Sequence, residues 1–287
     1  MFNKPLTSNV DDILKKVDYF RSLHHANHML ILPNAWDAAT ARLFEDEGFK
    51  AVATTSAGMM VSLGYEDGEY ISKDEFISAI ARIAEAVTVP LSVDLVSGFG
   101  DNEKQVVNMV KEVADKGVIG INIEDFEHAS KKLLSVEKQV NKIKAIKKSG
   151  IDIFVNARTD ALRFAAGTEE SKFKEALARG EAYKNAGADC IYPMGLVDKE
   201  KIASYVDKID FPINVMLRKG IPSINDLEEL KVARLSFGPS AIYATMGLLK
   251  KASRQILNDR RFEILLEDAI SYEELNSLAK KRNDKNI

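Results

Sequence analysis

The sequence is poor in the features that mark specialised classes of protein. Cys190 is the one cysteine in 287 residues, so no internal disulfide can form, and this suits a reducing compartment. No apolar run reaches the roughly 18 residues of a membrane-spanning helix. The N-terminal stretch carries Asp11 and Asp12 and has no apolar core, unlike a signal peptide. We therefore expect a cytoplasmic protein.

A strong charge of one sign is also missing. The net charge is −3, with 43 acidic and 40 basic residues. Because the two signs are interspersed, neither nucleic acid nor an anionic membrane is expected as a partner. Neither glycine-rich phosphate-binding pattern is present: no GxGxxG follows the first strand-like run, and GxxxxGK[ST] does not occur. These absences argue against a doubly wound nucleotide-binding fold.

The chain does contain a regular alternation of strand-like and helical patterns. Eight short runs of β-branched or apolar residues recur, and helical patterns such as 73–87 and 170–186 lie between them. Strand and helix alternating at roughly 30 residues per unit predict an α/β fold of the (β/α)8 barrel type. The runs are centred near Ile31, Val52, Val93, Ile121, Phe154, Ile191, Val215 and Leu235.

We predict one domain over 1–287, since 46% apolar residues can bury a sizeable core. Residues 1–28 contain an amphipathic helix over 11–23, the barrel spans 29–250, and 251–287 form C-terminal helices. One of these, predicted over 262–278, has apolar residues with acids between them. It needs a partner surface, either its own barrel or a neighbouring subunit.

Acidic residues end the third and fourth strand-like runs, at Asp94 and Glu124, and the loop after the second run adds Asp67. The carboxyl ends of barrel strands share one rim, where three carboxylates repel unless a cation lies among them. Oxygen ligands favour Mg²⁺ or Mn²⁺. Helix caps or plain surface acids are the alternative interpretation. A zinc site is disfavoured, because the histidines have no usable spacing: His24, His25, His28 and His128.

Three further features fall near the same rim. Arg158 ends the fifth run and suits a substrate carboxylate, or pairs structurally with Asp160. Ser56 and Gly58 follow the second run and offer groups for an oxyanion, or only let the backbone turn. Four asparagines also lie near strand ends, as ligands or as satisfied inward-facing amides: Asn34, Asn122, Asn156 and Asn214. His128, on the loop after the fourth run, is either a proton donor or a solvent-exposed group. Cys190 lies within the sixth run, as an inert buried thiol or as a nucleophile.

Over roughly residues 28–250 the chain resembles the isocitrate lyase and phosphoenolpyruvate mutase superfamily. The resemblance depends on the order of several motifs, each at a predicted strand end. They read LPNAWDA from residue 32, TSAG from 55, SLGYED from 62, SVD from 92 leading to GFG from 98, NIED from 122, NAR from 156 and FPINV from 211.

The resemblance implies a Mg²⁺-dependent barrel that acts on small 2-oxo or 2-hydroxy acids through a pyruvate-like enolate. Asp94 would be the direct metal ligand, and Asp67 and Glu124 would hold the metal through waters. Arg158 would pair with the acid groups of the substrate. The family typically swaps a C-terminal helix between subunits of a dimer within a tetramer. The carboxylate and oxyanion site would be lined by Ser56, Ala57 and Gly58.

Two departures from the family pattern stand out. Val96 occupies the position of a second acid in the pattern D-x-[DE]-x-G-[YF]-G, so one outer carboxylate of the metal is missing. The loop over 126–134 lacks the K-[KR]-C-G-H motif of the lyases and also the phosphonomutase pattern D-K-x-x-x-K-x-N-S. Without the cysteine, cleavage of isocitrate or methylisocitrate by the usual route is disfavoured.

These observations leave three hypotheses. The leading one is a Mg²⁺-dependent lyase that cleaves a C–C bond of a small 2-oxo or 2-hydroxy acid and leaves a pyruvate enolate. The second is P–C bond chemistry on phosphonopyruvate, by a mutase or a hydrolase. The third is a catalytically silent barrel that binds small carboxylates. Each hypothesis implies a small carboxylic acid as ligand, and the C-terminal helices predict a homo-oligomer.

Overall fold

The computed structural model describes residues 10–279 and contains the predicted (β/α)8 barrel. The first strand, β1, is Leu30–Leu32, continued beyond Pro33 by Asn34–Ala35. Each of the eight predicted centres lies within a strand, which confirms the prediction. The remaining strands are β2 Val52–Thr54, β3 Leu91–Asp94, β4 Gly120–Glu124, β5 Phe154–Thr159, β6 Cys190–Pro193, β7 Asn214–Met216 and β8 Arg234–Ser236.

The strands pair in parallel and in chain order from β1 to β6. An isolated bridge between Ile191 and Ile213 joins β6 to the start of β7. The strand β8 then pairs with both β7 and β1. This pairing closes the sheet on itself, so all eight carboxyl ends point to one mouth.

Helices fill the connections between the strands, and their ends follow local sequence. The Ser72 hydroxyl accepts the N–H of Glu75 at 3.3 Å where one helix begins, and Gly117, with φ of +87°, follows the end of another. The helices are α1 Val10–Leu23, α2 Ala38–Asp46, α3 Ser56–Ser62, α4 Lys73–Ala86, α5 Glu103–Ala114, α6 Val136–Lys148, α7 Ala161–Phe164, α8 Glu169–Asn185, α9 Lys199–Ile209, α10 Ile224–Glu229, α11 Ser240–Asp259 and α12 Tyr272–Ser277.

The helix α1 packs against the amino ends of the strands, opposite the mouth. Its Phe20 is fully buried and makes an edge-to-face contact with Phe154, the first residue of β5, at 4.9 Å. His24 stacks on the same ring at 4.2 Å. The N-terminal helix predicted over 11–23 is therefore present, and it covers one end of the barrel. Every helix within 10–279 is too short or too polar to cross a lipid bilayer.

The prediction of one helix over 262–278 is wrong. A 3₁₀ turn at Glu263–Leu265 and the separate helix α12 occupy this segment. The Ser271 hydroxyl accepts the N–H of Glu274 at 3.0 Å and starts α12 anew, since a serine at this position favours a helix start over a helix interior. The helix α11 also crosses the predicted boundary at residue 250, and residues 280–287 lie outside the described part.

Candidate active site

The predicted acids and the arginine meet at the mouth of the barrel. Asp94 is the last residue of β3, and Glu124 is the last residue of β4. Arg158, near the end of β5, is paired in register with Glu124. Parallel strands in a closed barrel bring these three positions to one rim, so the structure places them together as the sequence indicated.

Glu124 joins two cationic groups. Its Oε2 accepts from Nη1 of Arg158 at 2.7 Å, and its Oε1 contacts Nε2 of His128 at 2.6 Å. Arg158 also donates from Nε to Asp160 at 2.6 Å. Arg158 is therefore a structural partner of Asp160 and also faces the mouth, so the two interpretations of this residue are compatible.

Burial governs the ionisation of these groups. It raises the pKa of Glu124, against the opposing effects of Arg158 and the hydrogen bond from His128. Burial lowers the pKa of His128, but the hydrogen bond and charge of Glu124 outweigh it, so the pKa of His128 lies above its ordinary value. The 2.6 Å contact between Oε1 of Glu124 and Nε2 of His128 is the hydrogen bond through which each group affects the pKa of the other. His128 is half-buried and held in place rather than free on its loop.

Asp94 is 8% exposed and is held by its own backbone surroundings. Its N–H donates to the Thr54 hydroxyl at 3.0 Å, and its Oδ1 accepts the N–H of Val96 at 3.3 Å. Burial raises the pKa of Asp94 and Asp67 raises it further, while Arg158 and a hydrogen bond with Ser56 lower it. Asp67 lies on an exposed loop but close enough to act on the charge of Asp94.

The segment after β2 forms the first turn of α3. Ser56 is buried beside Asp94, and Ala57 is partly exposed. The N–H of Gly58 donates to the Thr55 hydroxyl, which caps the helix, at 3.4 Å. A Cβ on Gly58 would meet Thr55 at 2.7 Å and Trp36 at 2.9 Å. Close packing therefore requires this glycine, and its N–H serves the helix cap, so Ser56 and Ala57 supply the remaining first-turn N–H groups.

Asn122 lies beside Asp94 in the register of β3 and β4. Its Oδ1 accepts from Nδ2 of Asn156 at 2.7 Å and from Nη2 of Arg234 at 3.3 Å. Arg234 is fully buried inside the barrel. Sequence reasoning missed it, because an arginine within the apolar run around Leu235 can face either inward or outward. Tyr192, whose ring lies 5.8 Å from the Arg158 guanidinium carbon, was also missed.

A short hairpin covers one side of the mouth. Phe126–Glu127 pairs antiparallel with Lys132–Leu133, and the sequence did not predict it because two-residue strands have no detectable periodicity. Beside the hairpin is a cavity of about 200 Å³ whose wall includes His128, Glu127, Lys138 and Lys142. The hairpin therefore carries His128 to the mouth and borders open space.

Comparisons with known proteins agree with this fold. The family model described as phosphoenolpyruvate phosphomutase matches residues 20–257. An uncharacterized protein of Mycobacterium tuberculosis is 33% identical over 258 residues, which cover 89% of this chain and 94% of that protein. The chain belongs to the isocitrate lyase and phosphoenolpyruvate mutase superfamily.

Two further proteins are similar along nearly their whole length. The 2,3-dimethylmalate lyase of Eubacterium barkeri is 30% identical over 274 residues, with 90% of this chain and 92% of that enzyme covered. A crystal structure described as a lyase or mutase from Burkholderia cenocepacia J2315 has a TM-score of 0.85 and 31% identity, with 93% and 96% covered. The chain is thus an enzyme of a superfamily of lyases and mutases.

The superfamily implies a hard cation at the mouth of the barrel. Within 10–279, no group of three or more His, Cys, Asp or Glu side chains is arranged to enclose a metal ion. Asp94 is nevertheless a buried carboxylate whose pKa is raised by burial, which a cation beside it would offset. Both oxygens of Glu124 already have partners. This donor set fits a hydrated cation held by Asp94, with Asp67 and Glu124 acting through water.

The sequence did not decide whether the Cys190 thiol is inert or nucleophilic. In the structure, Cys190 is the first residue of β6 and is fully buried. Burial raises the pKa of Cys190 to about 12, so the thiol stays protonated near neutral pH. A protonated, inaccessible thiol is a poor nucleophile. Among the residues that the structure describes, this protein therefore has no reactive cysteine at the mouth of the barrel.

Proposed function

We propose that this enzyme cleaves a C–C bond of a small 2-oxo or 2-hydroxy carboxylic acid in a Mg²⁺-dependent reaction that leaves a pyruvate-like enolate. The observation that supports this most is the contact of Glu124 with both Arg158 and His128, at 2.7 and 2.6 Å, beside the buried Asp94. This arrangement offers a fixed cation for a carboxylate, an acid for metal binding and a mobile proton at one rim.

Each residue would have a distinct task in this reaction. Asp94 would hold the cation, and Mg²⁺ when bound would supply a positive charge that stabilises the enolate. Arg158, fixed by Glu124 and Asp160, would bind the substrate carboxylate without reorganising. Ser56 and Ala57 would donate to the oxygen that becomes negative.

The proton that the enolate carbon takes up after the C–C bond breaks would come from the pair formed by Nε2 of His128 and Oε1 of Glu124, which lies next to Arg158. Although burial opposes it, Glu124 raises the pKa of His128 above its ordinary value, which favours the protonated imidazole that a general acid needs. No thiol is required for this route.

P–C bond chemistry on phosphonopyruvate is the second candidate, and the phosphoenolpyruvate phosphomutase description of the matching family model favours it. The two reactions are separable by product. Pyruvate release from 2-oxo and 2-hydroxy acids, followed with lactate dehydrogenase, supports C–C cleavage. Conversion of phosphonopyruvate, followed by ³¹P NMR, supports the alternative.

The test of the proposed site is thermal unfolding with Mg²⁺ alone, oxalate alone and both together. Oxalate is planar and chelating, like a pyruvate enolate. At about 100 times the dissociation constant, binding adds about 2.7 kcal/mol of stability, which for a chain of this size corresponds to a rise of roughly 5–10 °C. We expect this rise only when both are present.

Asp94→Asn is the matched variant, because it keeps the shape of the side chain and removes the charge. We expect it to abolish the joint shift, while Asp101→Asn, which changes an exposed acid on the loop beyond β3, keeps it. A wild-type protein that shows no joint shift would contradict the proposal and favour the catalytically silent barrel.

We also propose that the chain assembles with further copies of itself through its C-terminal segment. Apolar side chains along α11 and beyond are largely exposed, Leu257 at 71% and Leu266 at 65% among them. Exposed apolar surface of this extent is typical of an interface.

A further inference from the structure

Arg234 lies inside the barrel and has few partners. Its side chain is fully buried, and its one hydrogen bond joins Nη2 to Oδ1 of Asn122 at 3.3 Å. Its Nε and Nη1 have no hydrogen-bond partner within the described chain, and none of the ion pairs found there includes it. A buried cation without a carboxylate partner has a high desolvation cost. A methionine or leucine at this position would avoid that cost.

The chemistry of Arg234 determines which way the Asn122 amide faces. A guanidinium only donates hydrogen bonds, so it must meet the oxygen of the amide and not the nitrogen. Nδ2 of Asn156 donates to the same oxygen at 2.7 Å. The Asn122 Nδ2 group is then left as a donor, and it makes no hydrogen bond to any of residues 10–279.

The free donor lies at the candidate active site. Asn122 is paired in register with Asp94 and lies two residues before Glu124 on β4. It is 6% exposed, so it is not sealed in the way that Asn156 is, which is 0% exposed. An N–H donor beside the acid that would hold the cation suits an oxygen of a chelating carboxylate.

We propose that Arg234 is a positioning residue that fixes the Asn122 amide, so that Nδ2 donates to a carboxylate or 2-oxo oxygen of the substrate. This inference rests on the function proposed above, because it takes the substrate to be a small 2-oxo or 2-hydroxy acid. Arg234 does not touch the substrate and acts through Asn122.

The test measures oxalate affinity in the presence of Mg²⁺ by calorimetry. We expect Asn122→Ala and Arg234→Met each to weaken binding about tenfold. The double variant should be no weaker than either single variant, since the two residues act in series. Arg234→Lys, which keeps a buried cation that only donates, should restore affinity to within about threefold of wild type. Arg42→Met removes a buried arginine of α2 and should leave the affinity unchanged.

A second measurement needs no ligand. In ¹⁵N NMR of the free protein, the side-chain amide of Asn122 should give one well-dispersed pair of proton signals in wild type and Arg234→Lys, and an altered or averaged pair in Arg234→Met. Unchanged amide signals in Arg234→Met, or strictly additive losses of affinity in the double variant, would overturn the positioning role.

The two measurements separate this inference from the proposed function. If Arg234→Met alters the amide signals but wild type does not bind oxalate, the ligand-facing part of the inference fails together with the proposed function. If wild type binds oxalate but Arg234→Met binds it equally well, only the role of Arg234 fails.

Discussion

Val96 lies in the turn after β3 with a strained backbone. It adopts a φ of +55°, a region that β-branched side chains rarely occupy and that short polar residues tolerate better. Its N–H donates to Asp94 and its carbonyl accepts from Glu124 at 2.8 Å. The buried Val96 therefore links the two candidate acids through backbone contacts.

The burial of His24 makes the stability of the folded protein depend on pH. Its Nδ1–H donates to the Phe20 carbonyl at 2.8 Å, and burial, assisted by the charge of Arg234, lowers the pKa of His24 to about 3. The unfolded chain gains a proton on His24 as pH falls through about 6.5, whereas the folded chain stays neutral. Stability present above this pH is therefore lost as pH falls from about 6.5 toward 3.

Protonation of His24 in the unfolded chain should lower the free energy of unfolding by about 2 kcal/mol between pH 7.5 and pH 5. Urea unfolding at the two pH values, compared between wild type and His24→Phe, measures it, because other titrating groups cancel in the difference. His28→Gln, at an exposed histidine, serves as control and should keep the wild-type difference. An equal loss in wild type and His24→Phe would show that His24 takes up a proton in the folded state.

At the residue scale, sequence order predicted which side chains converge but not how they pair. Asp94, Glu124 and Arg158 follow apolar runs, and the closed barrel brings such positions to one rim. The Glu124 contact with His128 depends on a hairpin that has no periodic pattern. Arg234 lies within an apolar run, where sequence alone does not separate an inward from an outward arginine.

The hairpin formed by Phe126–Glu127 and Lys132–Leu133 is the element whose motion matters most for the proposed reaction. Its base is fixed, since Phe126 stacks on Phe164 at 4.2 Å and the N–H of Leu134 donates to the Asp125 carbonyl at 2.8 Å. Its tip is exposed at Lys131, which adopts a φ of +54°. A fixed base and an exposed tip suit a segment that closes over a bound substrate.

Limited proteolysis tests this closure. Trypsin should cleave after Lys131 or Lys132 in the free protein, and Mg²⁺ with oxalate should slow this cleavage at least fivefold. Mass spectrometry of the fragments identifies the site, and the double variant Lys131→Gln, Lys132→Gln should lose the corresponding fragment. Cleavage at the same rate with and without the two additions would show that the hairpin does not close.

At the scale of elements, the sequence identified each barrel strand because buried strands are short apolar runs bounded by helical patterns. The C-terminal part was harder to predict. Apolar residues over 262–278 have a helical spacing, but the Ser271 cap divides the segment into a 3₁₀ turn and α12. The apolar side chains there are exposed in the single chain, so no packing within the chain selects one continuous helix.

At the scale of the whole molecule, exposed apolar side chains are distributed unevenly over the surface. Its large exposed apolar side chains concentrate after residue 240, and they include Tyr243 at 65%, Leu257 at 71%, Leu266 at 65% and Tyr272 at 75%. Accordingly, Ile242 and Ala252 are the only buried residues of α11. A 20-residue helix with so little buried surface gains its stability from packing against another surface. A second copy of the chain would provide such a surface with matching symmetry.

Size-exclusion chromatography with light scattering tests this assembly. Wild type should have a mass at least twice the 31.8 kDa of one chain. Leu257→Ser with Leu266→Ser should shift the mass toward one chain, because each leucine removed from an interface costs about 2 kcal/mol. Circular dichroism should remain close to wild type, since both side chains are exposed in the single chain. Ile224→Ser, at an exposed residue of α10, should leave the mass unchanged, and a wild type that is monomeric at micromolar concentration would refute the assembly.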